Sequence, residues 1–298
     1  MAEERCTVGD VELCYEQFGR DEDPVALLIM GLGTQMLAWR EEFCERLAAR
    51  GLRVVRFDNR DNGRSTILRH IPPPTARQLI TRELTPGYTL EDMADDAVGL
   101  LDHLGAGPAH LVGASMGGMI AQTIAIRHPD RVASLTSIMS TTGARNVGQP
   151  ALRLYPILLR RAPRQREAYI EFVSRMATAI GSPGFPHDDD EVRAVAARAH
   201  DRGIHPAGTG RQLAAIIAAS DRTPDLRRLD VPALVIHGLA DRLVRPTGGR
   251  ATAAAIPGAR LEEIRGMGHD LPQAVWPQVV DGIARLAERA AGARSDAV

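Results

Sequence analysis

The chain has no lysine: all 36 basic residues among its 298 are arginines. That absence removes Schiff-base enzymes, pyridoxal enzymes and P-loop phosphate binders, because each needs a lysine amine. Cysteine is nearly as scarce. Cys6, Cys14 and Cys44 are odd in number and show no C-x-x-C spacing. This argues against a disulfide framework or a zinc knuckle and for a reducing compartment. No apolar run approaches the roughly 18 residues that a membrane helix requires. The opening "MAEERCTVGD" is acidic and lacks an apolar h-region, so no secretory signal is expected and the cytoplasm is the expected location. Neither sign of charge is in excess, the net being -1. Nucleic acid and anionic membrane surfaces therefore lack the clustered basic face they would need.

Apolar runs alternate with helical patterns along most of the chain. "VALLIM" at 25–30, "RVVRF" at 53–57, the segments 110–112 and 134–140, "ALVIHG" at 233–238 and "RLEEI" at 260–264 read as strands. Residues 11–17 alternate apolar and polar, as a half-exposed edge strand does. Helices are expected near 39–50, 116–128, 251–256 and 271–291. Another opens after Thr89, which forms a capping-box pattern with Asp92, and its apolar side is Leu90, Met93, Ala97, Leu101 and Leu104. Such alternation implies crossover units and a mostly parallel sheet, so the fold class is α/β.

Between about 142 and 228 the alternation stops. Helical segments near 151–161, 165–180, 190–200 and 209–220 are separated by "GSPGFP" and "RGIHPAGTG". The expected organisation is a core of 1–141 and 229–298 with a helical cap, 142–228, over the C-terminal edge of the sheet. A smaller excursion at 66–88 joins the same rim, and the polar tail "GARSDAV" is expected to fray. "HDDD" at 187–190 falls at a helix start, where acidic side chains complement the dipole, so no metal site is expected there.

The stretch "HLVGASMGGMIAQTIAI" starts as a strand and ends as a helix, with Ser115 at the corner between Gly113, Gly117 and Gly118. A serine held in such a strained turn brings its backbone close to neighbouring strands, where side chains on the flanking positions would collide. Gly113-Ala114-Ser115-Met116-Gly117 is a G-x-S-x-G nucleophile elbow in its proper strand-to-helix context. A serine hydroxyl needs a base, and the base needs an orienting acid. In a fold of this kind the acid and then the histidine follow, each in a loop after a later strand. Asp241 lies just past "ALVIHG" and His269 just past "RLEEI". His237 falls inside a strand and reads as a core or rim residue. Asp270 points differently from its neighbour His269, and Asp225 and Asp230 precede their strand at the wrong edge. Two N–H donors are needed for the oxyanion. One is expected from Met116, and the other from Leu32 in the glycine loop "MGLG". That loop lacks the third glycine of a dinucleotide fingerprint, and no cofactor is expected.

"MGLG", "FDNRDNGRS", "VGASMGG", "GLADRLVRP" and "GMGHDLP" together resemble the α/β-hydrolase superfamily over nearly the whole chain. Within it they are similar to methylesterases of the aclacinomycin type and related actinobacterial esterases and lipases. The resemblance implies a catalytic triad of Ser115, Asp241 and His269, an oxyanion hole of Leu32 and Met116, and a small-molecule ester as substrate. Two departures stand out. Asp61 replaces the first glycine of the usual Asp-x-Arg-Gly-x-Gly-x-Ser, and Met30 stands where many members have histidine. The same triad also serves C–C bond hydrolysis, thioester cleavage and perhydrolysis on this fold, and a non-catalytic small-molecule receptor is a further alternative.

Overall fold

The continuous apolar runs become the central strands of one sheet. A computed structural model describes residues 2–81, 83–158 and 160–295. Strands Glu4–Val8 (β1), Val11–Phe18 (β2) and Val25–Ile29 (β3) precede helix Glu41–Ala48 (α1) and strand Arg53–Phe57 (β4). Helices Ala76–Thr81 (α2) and Leu90–His103 (α3), strand Ala109–Ala114 (β5), helix Met116–Arg127 (α4) and strand Val132–Ile138 (β6) follow. The chain then forms helices Tyr155–Leu158 (α5), Arg166–Ile180 (α6), Asp189–Arg202 (α7), Pro206–Ala218 (α8) and Thr223–Leu226 (α9). Strand Ala233–Gly238 (β7), helix Thr247–Ala255 (α10), strand Arg260–Ile264 (β8) and helix Trp276–Ser295 (α11) complete it.

Among the described residues the sheet has eight strands in the order β1-β2-β4-β3-β5-β6-β7-β8. β2 is antiparallel to β1 and to β4, and the remaining pairings are parallel. From β3 the chain steps to β4 on one side and then crosses to β5 on the other. The carboxyl ends of β3 and β5 thus meet where the strand order reverses, the place where open α/β sheets bind ligands. Successive residues of each central strand feed opposite layers. Leu27, Ile29, Val55 and Leu111 pack under α3 and α4, and Ala26, Leu28, Val54 and Val112 pack under α1 and α11 with Trp39, Phe43 and Trp276.

Several elements differ from their sequence expectation for identifiable reasons. β2 is not the edge strand. β1 covers it, with Glu4 paired to Tyr15 and Val8 to Val11. "ERCTV" was missed because only Cys6 of its five residues is buried, so it carries no apolar run. β6 ends at Ile138 because Met139 turns into a left-handed φ of 43°. α11 starts at Trp276, after Pro272 and a 3-10 turn, Gln273–Val275. It runs through part of the supposedly frayed tail to Ser295, and residues 296–298 lie outside the described residues. The Thr89 capping box is present with both of its bonds. All three cysteines are free and buried, and burial first of all pushes the Cys14 and Cys44 thiols up to about 12, where they are unreactive.

α5 to α9 are inserted between β6 and β7 and touch the loops at the carboxyl ends of several strands. Arg211 of α8 forms a bidentate pair with buried Asp61, 2.6 and 2.7 Å, in the loop after β4. Arg202 of α7 meets Asp58 at 2.8 Å in the same loop, and the His269 N–H donates to Ile180 O, 2.8 Å, at the end of α6. Asp61 has a left-handed φ of 69°, which explains why the family pattern prefers glycine there. Aspartate is among the few side chains that tolerate this region. Among the described residues no helix is long and apolar enough to cross a membrane.

Candidate active site

Ser115 sits at the corner between β5 and α4 with φ 56° and ψ -118°, a strained region for a residue with a side chain, costing about 1–3 kcal/mol. The three glycines make the corner possible. A Cβ on Gly113 would overlap the carbonyl of Gly117, and one on Gly117 would overlap the carbonyl of Ile29 in β3. A Cβ on Gly118 would come within 2.6 Å of Ser140 Cβ. Ser115 N–H donates to Ile138 O at 2.9 Å, and the Ser140 hydroxyl donates to Ser115 O at 2.8 Å. The turn is thus held from β6 as well. Gly117→Ala pits a methyl group against rigid backbone on a central strand, so it should destabilise the protein by at least about 3 kcal/mol. A thermal melt checks this, and an unchanged Tm would contradict the close approach.

His269 and Asp241 reach the same corner from the ends of β8 and β7. His269 Nε2 lies 3.0 Å from Ser115 Oγ, and His269 Nδ1 lies 2.7 Å from Asp241 Oδ2. The carboxylate on Nδ1 fixes the tautomer: Nδ1 carries the proton and donates it, leaving Nε2 to accept from the serine hydroxyl. Asp241 is buried. Its other oxygen, Oδ1, accepts from the N–H groups of Leu243 and Val244, each at 2.9 Å. Burial pushes this carboxyl upward. The facing His269 charge, together with hydrogen bonds from His237 and His269, outweighs that and holds it down at about 2. The acid therefore stays anionic wherever an imidazole can serve as base.

The glycine loop after β3 crosses directly over Ser115. A Cβ on Gly31 would sit 3.1 Å from Ser115 Cβ and 3.6 Å from its Oγ. Within the loop, Met30 O accepts from Asn59 at 3.0 Å and Gly31 O from Thr34 N–H at 3.3 Å. Leu32 O accepts from the Thr34 hydroxyl at 3.1 Å. The Leu32 N–H makes no hydrogen bond among the described residues. Met116, the first residue of α4, has an N–H without an intrahelical partner by its position. Of the two residues singled out from the sequence, Met116 directly follows Ser115, and Leu32 directly follows Gly31, whose backbone packs against Ser115.

Four other residues lie around this constellation. His237 is buried, but it is more than a core residue: its Nε2 lies 2.8 Å from Val244 O and 3.5 Å from Asp241 Oδ2. Inside an apolar strand it carried no signal beyond the residue type. Asp270 turns away from His269 and accepts from the Ser182 hydroxyl, which in turn accepts from Gly268 N–H at 2.8 Å. Gln212 of α8 bonds the glycine loop itself, accepting from Gly33 N–H at 2.8 Å. In the sequence Ser182 is one polar residue of the connector "GSPGFP" and Gln212 one of a helical stretch, and neither stands out. At "HDDD", Asp188 caps α7 by accepting from Glu191 N–H at 3.0 Å, and His187 pairs with Asp189 at 3.2 Å. Among the described residues no three His, Cys, Asp or Glu side chains converge as a metal ion would require.

Known proteins share this architecture. The family model of the alpha/beta hydrolase fold matches residues 24–272. The chain is 31% identical over 297 residues to rhodomycin D methylesterase DauP of Streptomyces sp. (strain C5), covering 90% of this chain and 92% of that protein. It is 27% identical over 261 residues to 3-oxoadipate enol-lactonase 2 of Acinetobacter baylyi, covering 86% of each. Among solved structures, the enol-lactonase from Burkholderia xenovorans LB400 superposes with a TM-score of 0.71 at 25% identity, over 95% of this chain and 99% of that one.

Proposed function

The chain belongs to the α/β-hydrolase family, and from that premise we propose that it is a cofactor-independent serine hydrolase of carboxylic esters, with Ser115 as nucleophile, His269 as general base and Asp241 as orienting acid. The observation that carries this reading is the unbroken chain of hydrogen bonds from Ser115 Oγ through the imidazole to a buried carboxylate, 3.0 and 2.7 Å.

As Ser115 Oγ attacks the ester carbonyl, its proton passes to His269 Nε2, and Asp241 stabilises the imidazolium. The carbonyl π electrons move onto oxygen, where the N–H groups of Leu32 and Met116 hold the negative charge. Each such donor is typically worth about 10²- to 10³-fold in rate. The tetrahedral intermediate collapses, the C–O bond to the leaving group breaks, and the imidazolium returns its proton to the departing alkoxide. Water, deprotonated by the same imidazole, then cleaves the acyl-enzyme. Residues 142–228 act as the cap over this site, with 1–141 and 229–298 as the core, and the substrate is a small-molecule ester. The bonds from α6, α7 and α8 to the strand-end loops support that assignment.

The relative's name makes a methyl ester the first substrate to test. A panel of p-nitrophenyl esters, acyl thioesters, an enol-lactone and polyketide methyl esters checks the reading. Ester turnover should begin with a burst of about one alcohol per site, the mark of an acyl-enzyme. A purified, folded protein that hydrolyses none of them above the buffer rate would refute it.

A further inference from the structure

We infer that Gln212 of α8 is a positioning residue for the oxyanion loop, holding the Leu32 N–H in register with Ser115. This rests on the reading of Ser115 as nucleophile. Gln212 is fully buried. Its Oε1 accepts from Gly33 N–H and its Nε2 donates to Arg60 O, both at 2.8 Å. Both partners are backbone groups of fixed polarity, so the orientation of the amide is determined.

The consequence for Leu32 follows from peptide planarity. The Leu32–Gly33 peptide is fastened at both ends, its oxygen by the Thr34 hydroxyl and its N–H by Gln212. The preceding peptide is fastened at Gly31 O by Thr34 N–H. In a trans peptide the N–H points opposite to the C=O. With Gly31 O engaged on one side, the Leu32 N–H is directed to the other, and it has no bond of its own among the described residues. Gly33 has a left-handed φ of 63°, and a loop with two glycines is soft unless something outside it supplies the restraint. Gln212 supplies that restraint from the far side of the site, reinforced by Thr209 one turn earlier on the same face. A Cβ on Gly33 would come within 2.7 Å of Thr209 Cγ2. α8 is itself anchored by the Arg211 pair with Asp61 and by Arg211 donating to Ile71 O at 2.9 Å. The helix that covers the substrate therefore also sets the donor that meets the oxyanion.

Oxyanion donors act on the transition state, so loosening one lowers kcat and leaves ground-state binding alone. Gln212→Met keeps the length and removes both bonds. It should lower kcat about 10- to 100-fold with KM within about threefold, and weaken a tetrahedral boronate inhibitor by the same factor as kcat. Where Gln212→Met does not fold, Gln212→Asn, one methylene shorter, should show the same kcat-specific loss. A folded Gln212→Met or Gln212→Asn with unchanged kcat would overturn the assignment. So would a loss carried by KM, with boronate affinity unchanged. Failure of the nucleophile reading has a separate signature: ester hydrolysis that survives Ser115→Ala, whatever Gln212 does.

Discussion

Ser115→Ala should lower kcat for ester hydrolysis by about 10⁴- to 10⁶-fold and leave the melting curve nearly unchanged. The rate falls because, among the described residues, no other hydroxyl bonds the imidazole, and Ser140, which packs against the same corner, donates its proton to Ser115 O. What survives is the oxyanion hole and substrate binding, typically about 10³- to 10⁴-fold over water. Stability should barely respond because, among the described residues, the Ser115 hydroxyl bonds only His269. The strained φ of 56° is imposed by the surrounding glycines and β6, and it is the same for alanine. Steady-state kinetics with a p-nitrophenyl ester, together with a thermal melt, measures both halves. More than a tenth of the activity remaining in a folded variant would remove Ser115 from the mechanism.

Asp241→Asn should cost about 10⁴-fold in kcat with the fold retained. Asp241 Oδ1 accepts two backbone N–H groups, so the amide oxygen takes that position and the NH₂ turns towards His269 Nδ1. The ring must then carry its proton on Nε2, where it can no longer accept from Ser115. The same carboxylate also bears on the wild-type pH profile. An acid held down at about 2 is lost only as pH falls through that value, so it contributes no limb near neutrality. An acid limb of kcat/KM near neutrality would therefore belong to a group other than Asp241. A carboxylate-dependent limb near neutral pH, or an Asp241→Asn variant within tenfold of the original, would contradict this role.

How much of the site could be read from sequence depends on how local its cause is. The elbow was legible because its constraint is local: Gly113 and Gly117 clear carbonyls that a side chain would strike, and both flank Ser115 within two residues. Asp241 and His269 were legible as positions, each just beyond an apolar strand whose limits the sequence marks well. β1 was not, since a thin edge strand needs no apolar face. The notable replacement, Asp61, was visible, but its meaning was not, because its partner Arg211 lies 150 residues away. Gln212 is a stronger case. It stands 179 residues from Gly33, and only the folding of α8 onto the glycine loop gives an ordinary helical glutamine a place beside the chemistry.

Treatment with a fluorophosphonate probe, followed by peptide mass spectrometry, most directly tests whether one relay does the work. A single adduct should form on Ser115, its formation should slow by orders of magnitude in His269→Ala, and ester turnover should fall in step with the labelled fraction. Turnover that persists in fully labelled protein, or inactivation by an adduct on some other side chain, would contradict the account.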